Sequence, residues 1–594
     1  MLLLFRLDEH MDIIELISAS LFLSLIINSV LPSLLAYLGI EKNIYIITII
    51  IFTLIIGLLS IAIRGLPKLT KTSSKDYLII FPFFTLLVIM ILHLYKYPIF
   101  HATFSKDPVV HANFVKQLFQ NPSNMTRNAN YPLGLHMISL IVLEITRINF
   151  LFSIRFLAGY FVILSLFLMY IMVRRMFNEE IALLSTFIFN IAFPIPFIHF
   201  SNSGTYANIV GNLASIFIIY WWLLYKDSKL NTSQSIGYIL IAISLGITGL
   251  WLHFSVFIIL TILPIYLLIL YLIDKDKKNI IFPLMLWLVI IMISMLDKRL
   301  IMNMLNVSSF LKGGPFIIYS STILSHYIQL YFPWLMLIGY LSVLTGIHVY
   351  AILISYLYAL LSIIRRYQFS INIMLLLIWS MWILFLSIMG ETIRFTFELM
   401  LPASIVYSLL IIHVYNKLMK FISSTLMSKY RYISIINKIL ITVFIVLILT
   451  IPLTTHVVIN NIKDISMYRH KQLDVLDSME WINNNLPQNS SIISVGLKEY
   501  RYFSMIFNLN IDFIGDFLFE NVSVMNKYIH DNSVSYIVLW KKLHYIEDKI
   551  YILDELIDMG YSIIYRNNNV YVLKVPKYSI SYNNNLVSIP STQI

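Results

Sequence analysis

The sequence predicts a polytopic α-helical membrane protein of about 13 spans with a small external α/β domain at its C-terminal end. Three observations carry that reading. Hydrophobic residues make up 59% of the 594 and charged residues only 12%, against roughly 25% charged in an ordinary soluble domain. Apolar runs long enough to cross about 30 Å of hydrocarbon recur along most of the chain. Beyond position 462 the runs shorten to strand length, while charge and asparagine rise.

Taken in order, candidate spans lie near 13–38, 43–63, 77–95, 153–173, 180–198, 206–225, 235–252, 254–273, 279–296, 345–364, 370–389, 396–416 and 439–458. Arg6, Asp8, Glu9 and Asp12 precede the first run and no small-residue cleavage site closes it, so an uncleaved first span is expected. The basic clusters are Arg64/Lys68/Lys71/Lys75, Arg174/Arg175, Lys226/Lys229, Lys275/Lys277/Lys278, Arg365/Arg366 and Lys417 to Lys438. All six fall on one side, the cytoplasmic one by the positive-inside rule, only if the apolar segment 133–148 does not cross fully. That segment is expected to lie in or dip into the outer leaflet, leaving the N-terminus cytoplasmic and the C-terminal domain external. Trp221-Trp222, at the cytoplasmic end of a span, reads as an interfacial aromatic belt.

The tail alternates strand-length and helix-length patterns. Residues 468–484 carry helical spacing, as do 517–530 and 546–558. Short apolar runs at Ser491–Val495, Ser535–Trp540, Tyr561–Tyr565 and Val570–Val575 read as strands. The expected organisation is N-terminal spans over 1–76, a membrane core over 77–460 with an external loop 96–135, an α/β domain over 461–576, and a flexible tail 577–594.

The formal net charge of +12 does not indicate nucleic acid, because the basic residues sit between spans where they set orientation. With no cysteine, disulfides, thiol catalysis and cysteine-based metal sites are excluded.

One external loop is unlike its surroundings. It runs from Lys106-Asp107-Pro108-Val109-Val110-His111 to Tyr131-Pro132-Leu133-Gly134-Leu135-His136. Asp107-Pro108 reads as a helix start, with Asp107 at the N-cap and Pro108 at the first helical position. Asp107 and His111 then share one helix face. A carboxylate there can act as general base toward an acceptor hydroxyl, and His111 can share the proton or neutralise a phosphate. Tyr131-Pro132 and Gly134 form a turn opening an apolar helix that carries His136. The spacing of His101, His111 and His136 matches no tight metal motif.

Asp107 and His111 in the first large external loop, followed by Tyr131-Pro132-x-Gly134-x-His136 opening an apolar helix, resemble the polytopic GT-C glycosyltransferase superfamily. The branch it resembles is the uncharacterised archaeal and bacterial one with two extra N-terminal spans. The resemblance covers roughly 77–460. It implies sugar transfer from a polyprenyl-phosphate carrier in the cell membrane to a glycan, lipid or protein acceptor on the external face, as in cell-envelope glycosylation. It places the catalytic base at Asp107, assisted by His111. Tyr131 and His136 are the matching candidates for substrate binding. A lipid-phosphate donor needs a cation near the outer interface, and Arg394, oriented by Glu391, fits that need, with His253 lining the same cavity. Family members with paired acidic loop residues bind a metal. Here Lys106 precedes a lone Asp107, so no divalent metal is expected. Two rival classes are a transporter or flippase for a lipid-linked or anionic solute, and a non-catalytic scaffold of the same fold.

Overall fold

The computed structural model describes residues 2–68, 70, 72–97, 107–129, 131–148, 150–192, 195–198, 200, 206–253, 256–273, 277–295, 348–365, 370–389, 392–426, 465–487, 490–495, 511–514, 522–540 and 550–576. The chain divides into two compact units, Met1–Ile465 and Ser466–Ile594.

The first unit is a helical bundle. Among the described residues, eight helices are long and apolar enough to cross a membrane, and shorter apolar helices accompany them. This makes the chain an integral membrane protein. The helices in order are α1 (Ile13–Tyr37), α2 (Asn43–Arg64), α3 (Ile80–Lys96), α4 (Asp107–Gln120), α5 (Pro122–Asn128), α6 (Gly134–Thr146), α7 (Phe150–Met176), α8 (Glu179–Phe187), α9 (Ile195–Ile198), α10 (Tyr206–Asp227), α11 (Thr232–Leu252), α12 (Val256–Ile273), α13 (Lys278–Met295), α14 (His348–Ile364), α15 (Ser370–Met389) and α16 (Thr392–Leu426).

Two helices show how burial divides among apolar sequences. In α2 the side chains of Ile47, Leu54 and Leu58 are 57%, 57% and 67% exposed, as befits a helix that is apolar all round and faces lipid. In α10 every residue from Tyr206 to Leu224 is buried. Trp221 stacks on Tyr238 with ring centroids 5.7 Å apart and donates to the Tyr238 carbonyl, and Trp222 meets Tyr266 edge-on. The Trp221-Trp222 pair is therefore core rather than an interfacial belt, because α10 is surrounded by other helices.

The end of the bundle that holds the start of α1 is tied by ions. Asp12 caps α1 by accepting from the Glu15 amide at 2.9 Å. Arg174, in the last turn of α7, pairs with Asp12 at 2.6 Å, Glu15 at 3.0 Å and Asp76 at 2.9 Å. Arg175 holds Glu15 through two bonds at 2.6 and 2.7 Å. The sequence places these arginines between spans. They are enclosed, since their side chains are 12% and 13% exposed. Arg64, Lys75 and Lys226 join the same end through the Leu4 carbonyl, Glu180 and Asn372 respectively.

The opposite end carries α4, α5 and α6. Both ends of α6 lie there. Its first residue, Gly134, abuts Trp251 at the close of α11, and Trp251 donates to Ser33 in the last turn of α1. Near its other end, Glu144 meets Lys42, just ahead of α2. The helix therefore lies along that end of the bundle.

The expected span 180–198 is not continuous. After α8 the backbone widens into a π-helical turn, Ile188–Ala192, before α9. Within that turn Asn190 accepts from Ser165 of α7 at 2.6 Å and donates to the Thr186 carbonyl at 3.1 Å. A side chain bridging to a neighbouring helix offsets the irregular backbone there.

The second unit is a five-stranded mixed sheet with helices. Its strands are β1 (Ile492–Val495), β2 (Ile511–Ile514), β3 (Tyr536–Trp540), β4 (Ser562–Arg566) and β5 (Val570–Lys574), and its helices α17 (Ile465–Asn485), α18 (Val522–Asp531) and α19 (Ile550–Asp558). The order is β2-β1-β3-β5-β4, with β1 parallel to β2 and β3, and β5 antiparallel to β3 and β4. Ile493, Ile537, Leu539 and Leu573 join Ile529 of α18 and Leu556 of α19 in one core. Four strands match the predicted runs. Sequence reading missed β2, because Ile511-Asp512-Phe513-Ile514 is too short to show a clear period. The tail 577–594 lies outside the described residues.

Candidate active site: a buried histidine pair

Helix α4 begins at Asp107 itself, one residue earlier than the Asp-Pro start predicts and within the usual ambiguity of helix ends. One turn on, His111 is buried at 6% exposure. The turn Tyr131-Pro132-Leu133 then opens α6, and Gly134 is required there. A Cβ at this position would stand 2.8 Å from the Trp251 carbonyl oxygen. That close approach seats the first turn of α6 under the end of α11 and sinks His136 to 0% exposure.

The two helices thereby bring their histidines together. His111 Nδ1 lies 2.9 Å from His136 Nε2. One ring donates and the other accepts, so the neutral pair holds a single proton between its facing nitrogens. Aromatic rings enclose it. Phe114 stacks on Tyr131 with centroids 5.5 Å apart and meets His136 edge-on at 5.1 Å. Tyr131 lies 6.0 Å from His111 and 5.8 Å from His136, and Tyr206 of α10 stacks 6.5 Å from His111. Helix α6 is not among the long spans. There burial, followed by the proximity of His111, holds the His136 imidazole well below its ordinary range. The Pro132 carbonyl opposes that shift without closing a hydrogen bond of normal geometry to Nδ1. On α4, burial likewise lowers the Lys116 ammonium from its ordinary range.

From Tyr206 the aromatic lining continues to buried cations. Phe200 lies 6.0 Å from Tyr206, and the Arg155 guanidinium sits 5.1 Å from the Phe200 ring. His93 packs edge-on to Phe200 at 5.5 Å and against Tyr97 at 5.1 Å, and the Lys96 ammonium lies 5.2 Å from the Tyr97 ring. Arg155, His93 and Lys96 are 1%, 1% and 2% exposed. Six residues along α10 from Tyr206, the carboxamide of Asn212, with its nitrogen facing the carboxylate, donates to Glu398 of α16. Sequence reading passed over Lys96, Arg155 and Glu398. The available signal was the ionisable residue within an apolar span, which is costly unless it serves a site.

The predicted site residues fare differently. Structure brings His111, Tyr131 and His136 into one cluster. His253 caps α11 at 0% exposure, two residues past Trp251, which abuts Gly134. Asp107 and Arg394 are placed as helical residues at the starts of α4 and α16. Their side chains, and Glu391 and Lys106 entirely, lie outside the described residues, as do His101 and residues 296–347. Among the described residues no cluster of three potential metal ligands occurs.

No family model and no curated protein matches the chain. Among solved structures it is similar to the archaeal oligosaccharyltransferase AglB from Archaeoglobus fulgidus, in complex with an inhibitory peptide and a dolichol-phosphate. The identity is 14%, the match covers 77% of this chain and 69% of that one, and the TM-score is 0.46. It is similar also to ArnT from Cupriavidus metallidurans in the apo state, at 12% identity over 84% of this chain and 98% of that one, with a TM-score of 0.46. At 12–14% identity the similarity is distant, and it assigns no residue of this chain a role.

Proposed function

We propose that the protein is a membrane glycosyltransferase that moves a sugar from a polyprenyl-phosphate-type lipid donor to an acceptor on the external face of the cell membrane, with Asp107 as general base. The observation that carries this reading is the buried His111–His136 pair in its aromatic box, on a helix that opens at Asp107. Residues four apart share a helix face, so Asp107 is within one turn of the imidazole pair. In the proposed step the acceptor oxygen attacks the anomeric carbon as Asp107 takes its proton. The bond from sugar to phosphate oxygen breaks, and the lipid phosphate leaves with the electron pair. The histidine pair relays the proton or contacts the acceptor, and Tyr131 supplies a stacking face. Lys96 and Arg155, buried along the same aromatic line, are suited to the leaving phosphate. Arg394, Glu391 and His253 remain proposed substrate contacts. No divalent metal enters this mechanism.

The gathering of Arg64, Lys75, Arg174, Arg175 and Lys226 at one end supports a cytoplasmic position for that end. In this reading the chain has about thirteen spans. The first 76 residues precede a GT-C-like core extending to about 460, and the α/β unit is external.

The test is sugar transfer from radiolabelled polyprenyl-phosphate and polyprenyl-diphosphate donors in reconstituted membranes, comparing wild type with Asp107→Asn. A loss of about 100-fold or more in a folded variant is expected. Equal transfer by both proteins moves the base elsewhere. No transfer from any donor by the folded wild type puts the transporter and scaffold readings ahead.

A further inference from the structure

The turn between α1 and α2 reaches across to both helices that carry the imidazole pair. The Lys42 ammonium lies 3.1 Å from the centroid of the Phe119 ring and donates to the Phe119 carbonyl at 3.1 Å. It also lies 3.4 Å from Glu144 Oε1. Phe119 is in the last turn of α4 and Glu144 in the last turn of α6. Each stands eight residues beyond its histidine, or about 12 Å of helix rise. Helices α4 and α6 are therefore joined at one level by the His111–His136 hydrogen bond and, about 12 Å away, by a single ammonium.

The chemistry suits the place. Both contacts fall at helix C-termini, where unsatisfied carbonyls favour a cation. The Glu144 side chain is 7% exposed and that of Lys42 26%, so the pair is shielded from the screening that weakens surface ion pairs. Arg147 also meets Glu144, at 2.9 Å, but its side chain is 74% exposed and it belongs to the same segment. Among the described residues it ties α6 to no other helix. A second strap lies alongside, for Arg127 of α5 donates twice to the carbonyl of Tyr37, the last residue of α1, at 2.8 and 3.1 Å.

We infer that Lys42 is a positioning residue. The α1–α2 hairpin holds α4 and α6 in the relation that keeps His111 and His136 in contact and aims the start of α4 at the reaction. The catalytic consequence rests on the proposed transferase activity, whereas the clamp itself does not.

The experiment uses the full chain in lipid nanodiscs, comparing wild type, Lys42→Met and Lys42→Arg by amide hydrogen exchange. Methionine keeps the length of the side chain and removes the charge. Exchange over 107–120 and 134–146 is expected to rise about tenfold in Lys42→Met, the scale of a partly desolvated cation–π contact plus an ion pair, with 206–227 unchanged. Arginine, which can still reach ring and carboxylate, should restore most of the protection. In the transfer assay Lys42→Met should lower kcat and leave KM for the donor within about twofold, the mark of lost geometry rather than lost binding. Unchanged exchange in α4 and α6, a rise spread evenly over the bundle, or Lys42→Arg behaving like Lys42→Met each overturns the inference. Exchange needs no substrate, so the clamp and the transferase reading can fail separately.

Discussion

At the scale of single residues, the site is governed by what two imidazoles can do in a dry box. His111 and His136 share one proton across 2.9 Å, and a second proton on the facing nitrogens would oppose two N–H donors and leave one ring a buried cation. The shift of His136 below its ordinary value of 6.5 has a consequence for stability whose sign follows from linkage. In the folded protein His136 stays neutral, while in the unfolded chain it takes up a proton as the pH falls through about 6.5, so the unfolded state binds more protons there. Stability should be level above that pH and decline below it, through the window down to the folded-state value. Thermal unfolding between pH 8 and pH 5 should show the decline in wild type. In His136→Gln it should be weaker, because that side chain does not titrate. An unchanged profile in the variant would remove His136 as its source. The sequence alone marked His111, Tyr131 and His136, because polar residues crowded into one loop of an apolar chain stand out. Lys96, Arg155 and Glu398 were not marked. Each is a lone ionisable residue in an apolar run, and the sequence does not record which neighbour faces it.

At the scale of elements, helices are held at their ends by opposite devices. Where α1 begins, Arg174 spreads one planar guanidinium over Asp12, Glu15 and Asp76, a geometry that a point-charge ammonium does not reproduce. Removing the cation leaves enclosed carboxylates without their partner, a change that costs about 3–5 kcal/mol in buried pairs. Arg174→Met is therefore expected to lower unfolding stability by an amount of that order, measured by denaturant titration in detergent, with Arg174→Lys in between. A loss under about 1 kcal/mol would mean that water reaches the cluster and screens it. Where α1 ends, α5 and α6 lie against it, and α6 is short and apolar. Its composition resembles that of a span. Its placement follows from Gly134 under Trp251 and from Glu144 on Lys42, contacts more than a hundred residues apart in sequence in both cases.

At the scale of the whole molecule, the two ends of the bundle should face opposite compartments. The chain has no cysteine, so single cysteines report position cleanly. In sealed, inside-in cells, Asn124→Cys on α5 should react with an impermeant maleimide added outside, while Asn231→Cys at the start of α11 should react only after permeabilisation. The reverse pattern would invert the orientation and remove the external site. Membrane character, the order of most long apolar helices, the strand-and-helix tail and the histidine-bearing loop were all legible in the sequence. Hydrophobic run length and polar interruptions are local quantities, set by the bilayer thickness and by the cost of burying charge. Other features depended on which distant segments meet. Those features are the burial of Trp221 and Trp222, the break after α8, the enclosure of Arg174 and Arg175, the short strand β2, and the joining of His111 to His136. The sequence by itself determined that this chain lives in a membrane and where its unusual chemistry lies along the chain. Only the tertiary structure decided which side chains share a site, because pairing across helices is a property of packing that no local pattern contains.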